Sequence, residues 1–303
     1  MPLASCLYAL FTGSLATLRH INLQTNAFDL GYVSQAVWYE AHGEPFRFTT
    51  VQGVSALLEG VAPATIRHPH WLLAFHVEPA LLLLAPLYRL WPDPRLLLWL
   101  QAAAIAVGAF PAGWLGARLT GSRVAGLAFA AAWLLAPGLE GAALSDFHMV
   151  AFGATLLMAG LCLFEKARPR WALVCLALAA LTREDAAATV ACVALVLTIN
   201  CHSERSEESW SDARNWPRTK IPRRLRLLGM RCGTRTPLLL ALASALWAAL
   251  AIGVIEPFFS GGVSVFGARD AWLLHDPLEV PAGDVLAYLA LQLLTAGIVG
   301  LLA

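Results

Sequence analysis

The side chains of this sequence that could carry acid–base chemistry or bind a charged substrate stand at the ends of apolar segments or interrupt them. They are Asp29, His76, Glu78, Asp146, His148, Arg183, Glu184 and Asp185. Carboxylates and imidazoles suit a general base or a bound divalent cation. A guanidinium can balance the charge of a departing phosphate. Ionisable groups next to a bilayer are costly, which favours a functional interpretation of the set.

Each of these residues also has a structural explanation. Asp29 precedes an apolar-periodic run and could be the N-cap of the helix that follows it. Arg183 could pair with its two acidic neighbours as a charge cluster at a helix end. The histidines could be interfacial residues. Both explanations stay open for each residue at this point.

The composition defines the class of protein. The chain has 303 residues, of which 58% are hydrophobic and only 14% charged, with a mean hydropathy of +0.64. Soluble domains carry about 25% charged residues. Several runs approach the roughly 20 apolar residues that cross a bilayer. The sequence therefore predicts an all-α, polytopic integral membrane protein.

Several chemistries have no support in the sequence. The six cysteines form no CxxC or Cys/His metal spacing, so neither a disulfide nor a zinc site is expected. No P-loop, GxSxG, HExxH or GxGxxG motif is present. The densest basic stretch, 214–235, fits a cytoplasmic loop, so no nucleic-acid partner is expected. The identity of any cofactor stays open, with a divalent cation as the candidate.

The apolar pattern predicts the following order of segments. A first helix is predicted over 3–18, an amphipathic helix over 30–41, a loop over 43–70, spans over 96–117, 124–139, 148–164 and 236–256, a short hairpin over 171–181 and 186–199, and a last segment over 284–303. Three regions follow from this order. They are a membrane core over 1–199, whose outer loop covers about 19–94, a polar and basic block over 200–235, and further transmembrane helices over 236–303.

The segment 71–91 is apolar enough to span, but its charges and prolines argue against a crossing. Arg118 and Arg123 mark one short turn, whereas the loop with Asp146 has no Lys or Arg. Positive-inside logic puts that turn in the cytoplasm and Asp146 outside. With the first helix running outward, 71–91 must then be a juxtamembrane or re-entrant helix on the outer face. In the competing topology the segment spans, and Asp29 and Asp146 lie on opposite sides.

The block 200–235 differs in composition from everything around it. It begins with CHSERSEES and becomes strongly basic, so we expect a flexible cytoplasmic loop. A contact with anionic lipid through Arg223, Arg224 and Arg226 is one interpretation. The favoured one is an insertion with no evolved role. The chain also stops inside an apolar run, so we expect it to be truncated at its ends.

Four stretches together resemble the DUF2079 family of predicted membrane proteins. They are AFDLGYVSQAVW from 27, HVEPALLLLAPLYRLWPDPRLLLWLQA from 76, ARLTGSRVAGLAFAAAWLLAPGLEGAALSDFH from 117 and LTREDAA from 181, and the resemblance covers roughly 20–199. The layout is similar to that of the GT-C membrane glycosyltransferases, which use polyprenyl-phosphate-linked sugars at the outer face.

This resemblance implies roles for the residues named above. Asp29 matches the acidic catalytic base after the first helix, and Asp146 matches a second acidic residue in the next outer loop. The hairpin with Arg183 resembles the place where a basic residue meets lipid phosphate. Substrate binding would then involve Arg183, Glu184, Asp185, His76, Glu78 and His148. The implied setting is the plasma membrane of a prokaryote, with membrane lipid and a polyprenyl-phosphate sugar as partners.

Two other functions stay open. A transporter or lipid-binding membrane protein could use the acids and histidines to relay protons or bind a cation, and it would carry charges at mid-membrane on facing helices. The acids here cluster at one interface, which favours the enzyme. An inactive fragment is the third alternative.

Overall fold

The computed structural model describes residues 1–25, 27–49, 68, 70–213 and 235–261. Over these residues the protein is all-α, as the composition predicts, and their only β contact is an isolated antiparallel bridge between Arg47 and Trp71. The predicted last segment, 284–303, and most of the preceding loop lie outside the described residues.

The helices follow one another in this order. They are α1 (Pro2–Ile21), α2 (Tyr32–Ala41), α3 (Ala85–Leu90), α4 (Pro94–Thr120), α5 (Arg123–Leu134), α6 (Pro137–Leu144), α7 (Val150–Glu165), α8 (Pro169–Ala180), α9 (Glu184–Ala213), α10 (Arg235–Leu250) and α11 (Glu256–Ser260), with π-helical turns at Ala27–Gly31 and Ala251–Ile255. The second π turn joins α10 to α11 in one apolar run, Thr236–Ser260.

Two of the described helical runs are long and apolar enough to cross a membrane: α4 and Thr236–Ser260. The helices α5 and α6 pass the same test together but are bent by 43°. The span predicted over 124–139 is therefore a broken one. The break lies at Pro137, because proline cannot donate the next helical hydrogen bond and holds Ala136 in an extended conformation.

The segment 71–91 does not form one continuous helix. It contains two 3₁₀ turns, Leu72–Ala74 and Pro79–Leu83, and then the short helix α3. Residues 76–78 between the turns are irregular. Pro79 begins the second turn and Pro86 lies in the first turn of α3, positions where a missing backbone N–H costs least.

Helix α9 corrects the prediction of a flexible loop that begins at residue 200. Its 30 residues run without a break from Glu184 through Ala213, a length of about 45 Å. The polar stretch after residue 199 contains Glu and Arg, which are good helix formers, so it continues the apolar helix before it. Residues 214–234 lie outside the described part of the chain.

Contacts between helices show which turns share an end of the bundle. The ring of Trp99 leaves no room for a Cβ on Gly13, and Met1 approaches Gly113, so α1 and α4 run antiparallel. Arg118 Nε lies 3.4 Å from Glu165 Oε1, which joins the last turns of α4 and α7. The starts of α4 and α7 and the end of α1 therefore share the other end.

We call that other end the loop end, because it carries the long connections 22–49 and 70–93 and the turns 145–149 and 181–183. The opposite end carries the turns 121–122 and 166–168. A hydrophobic core fills the loop end. Its fully buried members include Val37, Leu72, Leu81, Leu97 and Phe147. This core packs α2 and the broken segment 71–91 over the start of α4 and the loop before α7.

Candidate functional site

The broken segment and the start of α9 are joined by three contacts at the loop end. Val77 N–H donates to Glu184 Oε2 at 3.0 Å, and His76 Nδ1 lies 3.2 Å from Glu184 Oε1. The backbone N–H of Ala80 donates to the carbonyl of Leu181 at 3.0 Å. Two of these bonds use backbone N–H groups that the broken helix leaves without an internal partner, so the irregular stretch is stable where it packs.

We call these three contacts together the joint, and Glu184 is the acceptor in two of them. Its side chain is fully buried. Burial alone would raise its pKa, but the hydrogen bond and charge of His76, with the backbone N–H groups of Glu184 and Val77, lower the pKa to about 2. Glu184 is therefore an anion at neutral pH, and its position in the first turn of α9 favours that charge through the helix dipole.

Glu78 is a second buried carboxyl, two residues from His76. Burial raises its pKa to about 7, and His76 opposes the rise while Glu184 adds to it. Arg183 and Asp185 act more weakly, in opposite directions. The side chain of Glu78 therefore changes its protonation near neutral pH, in contrast to Glu184.

Arg183 forms a bidentate pair with Asp185. Its Nε donates to Asp185 Oδ1 at 2.7 Å, and its terminal amino group binds Asp185 Oδ2. Burial would lower the pKa of Arg183, but Asp185, with Glu78 and Glu184, raises it above the ordinary value. The structural interpretation of the 183–185 cluster therefore holds for Arg183 and Asp185, whereas Glu184 turns to His76.

Asp29 lies in the π-helical turn Ala27–Gly31 and is partly exposed. The N-cap of α2 is Gly31, and no side chain caps that helix. The interpretation of Asp29 as the N-cap of α2 is therefore wrong. The extra residue of a π turn is a feature often found at functional sites.

Tyr32 connects Asp29 with the joint. Burial raises the pKa of its phenol well above the ordinary value, and the charges of Glu78, Asp29 and Glu184 raise it further, while Arg183 lowers it. The charges of all four groups therefore act on the hydroxyl of one half-buried tyrosine. We call this set, Asp29, Tyr32, Glu78, Arg183 and Glu184 with His76 and Asp185, the Tyr32 cluster.

Asp146 and His148 are held by a different element. Gln101 of α4 donates from Nε2 to the carbonyl oxygens of Asp146, at 3.1 Å, and Ala142. Its Oε1 accepts from the backbone N–H of His148 at 2.6 Å, and His148 Nδ1 lies 3.0 Å from the Asp146 carbonyl. Phe147, between them, belongs to the core that also contains Phe75. The loop therefore lies at the same end as the Tyr32 cluster, but Gln101 positions it.

Sequence reasoning did not single out Tyr32, Gln101 or Glu40. A signal existed for Gln101, because an amide inside an otherwise apolar helix needs polar partners. Glu40 had no such signal, since it closes an amphipathic helix. In the structure its side chain is 9% exposed, and neither carboxyl oxygen has a hydrogen-bond partner among the described residues.

The described residues contain no group of three or more His, Cys, Asp or Glu side chains arranged to hold a metal ion. Two acids of the Tyr32 cluster have other partners: Glu184 binds His76 and the Val77 N–H, and Asp185 binds Arg183.

The fold and composition together define an all-α membrane protein that holds the Tyr32 cluster and Asp146 at one end of the bundle. Residues 19–274 match the model of the family described as predicted membrane protein DUF2079, and the chain belongs to that family. The match extends past the 20–199 expected from the sequence and includes the run Thr236–Ser260. No curated protein and no solved structure matches the chain.

Proposed function

We propose that the protein is a membrane glycosyltransferase that moves a sugar from a polyprenyl-phosphate donor to an acceptor hydroxyl at the loop end. One observation carries this proposal: the charges of Asp29 and Arg183 both act on the phenol of Tyr32, which is half-buried against the core of the loop end. A base and a permanent cation near one point are what transfer from a phosphate requires.

The proposed reaction uses each group once. Asp29 accepts the proton of the acceptor hydroxyl as its oxygen forms a bond to the anomeric carbon. The bond between that carbon and the phosphate oxygen breaks, and the electron pair leaves with the phosphate. Arg183 stabilises the phosphate. A partly exposed carboxylate suits the base, because the acceptor must reach it from solvent.

The other predicted site residues support this pair. Asp185 holds the Arg183 guanidinium in one orientation through two contacts. His76 and Glu184 fix the segment that carries Glu78. Asp146 and His148, held by Gln101, supply polar groups for the acceptor from the neighbouring loop. Binding of these groups to substrate is part of the proposal.

The proposed location is the outer face of a prokaryotic plasma membrane. Arg118, Arg123, Lys166, Arg168 and Arg170 lie at the opposite end of the bundle. Positively charged turns are typical of the cytoplasmic side. The loop end then faces outward, where polyprenyl-phosphate sugars would be the donors.

The test is transfer of radiolabelled sugar from polyprenyl-phosphate glucose, mannose or arabinose in vesicles that contain the protein. Asp29→Asn should reduce transfer by at least about 10²-fold, as loss of a general base does, with unchanged membrane insertion. The matched control is Glu44→Gln, an exposed acid in the connection that follows α2. Normal transfer by Asp29→Asn, or no transfer by the unaltered protein from any donor, contradicts the proposal.

A proton-coupled transporter is the second candidate, and one observation favours it. Glu78 is buried and its pKa is raised to about 7, as a proton-relay carboxyl requires. A transporter would show pH-driven solute uptake in proteoliposomes that Glu78→Gln abolishes and Asp29→Asn leaves intact. If the protein is a glycosyltransferase, Asp29→Asn should reduce sugar transfer more than Glu78→Gln does.

A further inference from the structure

The opposite end of the bundle carries a cluster of cations that the proposed reaction does not use. Its members are Arg118, Arg123, Lys166, Arg168 and Arg170, and all five are exposed. Among the side chains that the structure describes there, Glu165 is the only carboxylate. It is buried and paired with Arg118 at 3.4 Å. The remaining cations have no carboxylate partner among the described side chains, which in α9 end at residue 199.

Backbone hydrogen bonds hold the turn 166–168, which carries Lys166 and Arg168. Between α7 and α8, the N–H of Ala167 donates to the carbonyl of Phe164 and the N–H of Arg168 donates to that of Leu163, both at 2.9 Å. Lys166 Nζ lies 4.3 Å from the centre of the Trp114 ring, which joins this turn to α4 by a cation–π contact. Arg118 and Glu165 form a second bridge between the same helices.

Exposed apolar side chains lie directly beside these cations. Trp171, next to Arg170, is 64% exposed, and Val124, next to Arg123, is 76% exposed. Leu127 and Val174, one turn further along α5 and α8, are also exposed. A surface that changes from apolar to cationic within one residue, with a tryptophan at the boundary, is typical of the headgroup level of a bilayer. A soluble polyanion would need no such apolar border.

We propose that Lys166, Arg168 and Arg170, with Trp171, form a surface that binds anionic phospholipid headgroups. The phosphate of the lipid is held by the cations, and the acyl chains lie along the exposed apolar face of α8. This inference is independent of the glycosyltransferase proposal, because it involves the other end of the bundle and no residue of the Tyr32 cluster.

The test uses the full chain in vesicles of phosphatidylcholine that contain spin-labelled phosphatidylglycerol or spin-labelled phosphatidylcholine. The unaltered protein should immobilise the anionic lipid preferentially. Each cation removed should weaken that preference roughly fivefold, the effect of one Lys or Arg near an anionic surface. We expect this loss for the single variant Arg168→Gln. A larger loss is expected for the triple variant that combines Lys166→Gln, Arg168→Gln and Arg170→Gln.

The matched control is Arg89→Gln, which removes an exposed cation from the loop end and should leave the preference unchanged. Equal immobilisation of both lipids by the unaltered protein would overturn the proposal, as would an equal loss in Arg89→Gln and Arg168→Gln. Inorganic phosphate at millimolar concentration separates a lipid surface from a phosphate site. The proposal would also be overturned if phosphate displaced the anionic lipid while chloride at the same ionic strength did not. If the triple variant does not insert into the membrane, the lipid preference of Arg168→Gln alone is the test.

Discussion

His76 and Glu184 lie 108 positions apart in the sequence, and His76 Nδ1 is 3.2 Å from Glu184 Oε1. The contact joins the irregular stretch of the segment 71–91 to the first turn of α9. It also explains why a broken apolar segment is stable at this place, since Glu184 accepts the Val77 N–H as well. Through this joint, Glu78 and Arg183 come within reach of Tyr32.

Glu184→Gln should destabilise the protein at neutral pH. The pKa of Glu184 falls from an ordinary value of 4.5 to about 2 on folding. Its contribution to stability is therefore fully present above about pH 4.5 and is lost as the pH falls toward 2. We expect a loss of about 2–3 kcal/mol at pH 7, because a hydrogen bond to a charged group becomes a neutral one. Thermal unfolding in detergent measures it.

The same measurement at acid pH separates this effect from a general disturbance. The difference between Glu184→Gln and the unaltered protein should shrink as the pH falls below 4.5. Glu44→Gln, which removes an exposed carboxylate, should change the unfolding temperature little at any pH. A difference for Glu184→Gln that does not depend on pH would rule out the ionised joint.

Glu40→Gln should have the opposite pH dependence. Burial raises the pKa of Glu40 to about 8; the nearby Phe46 N–H lowers this pKa, and the charge of Glu78 raises it slightly. Neither carboxyl oxygen of Glu40 has a hydrogen-bond partner among the described residues. The folded protein therefore holds a proton that the unfolded chain releases above about pH 4.5, and stability falls as the pH rises toward 8.

The variant removes that dependence. We expect Glu40→Gln to raise the unfolding temperature at pH 9, where the unaltered carboxyl is charged and buried, by an amount that corresponds to about 1–3 kcal/mol. At pH 4 the two proteins should unfold at similar temperatures. Destabilisation by Glu40→Gln at pH 9 would mean that the carboxylate has a partner that stabilises its charge.

Gly153→Ala should loosen the contact between α7 and the turn before α9. A Cβ at Gly153 would lie 2.5 Å from Thr182 Oγ1, and its next neighbour in Thr182 is 3.4 Å away. We expect a loss of about 1–3 kcal/mol from overpacking. In a Thr182→Ala background the same change should cost much less, because the clashing hydroxyl is absent. A double-mutant cycle in unfolding free energy measures the coupling.

Gly141→Ala is the matched control for that cycle. Gly141 is also helical, but a Cβ there meets nothing within 4 Å. It should be neutral or stabilise by up to about 1 kcal/mol through helix propensity alone. Equal costs of Gly153→Ala in the two backgrounds would show that Thr182 is not what fills the space.

Hydrophobic periodicity was sufficient for the long helices. The spans predicted over 96–117 and 236–256 correspond to α4 and the run Thr236–Ser260. The segment predicted over 148–164 forms the apolar helix α7, which is shorter than these two runs. The break at Pro137 was missed, since the residues on both sides of it are apolar. Helix α9 was predicted to end too early, because polar composition was taken as a sign of a loop although Glu and Arg also favour helices.

The sequence predicted that the candidate residues lie at one end of the bundle, but it could not predict their contacts. Charge asymmetry grouped Asp29, Asp146 and Arg183 on one side, and the contacts between helices place all three at the loop end. Sequence proximity also favoured pairing Arg183 with both acidic neighbours. It could not show that Glu184 turns to His76, because that contact depends on how the segment 71–91 breaks. Tyr32 is central only because it packs, half-buried, against the core that these elements share.

A shared site requires that Asp29 and Asp146 face the same side of the membrane. Single cysteines at positions 29 and 146, in a chain whose six native cysteines are replaced, can be labelled in intact cells with a membrane-impermeant maleimide. Both should react from outside, and a cysteine at position 168 should react only after the membrane is opened. Labelling of positions 29 and 146 from opposite sides would contradict the shared site.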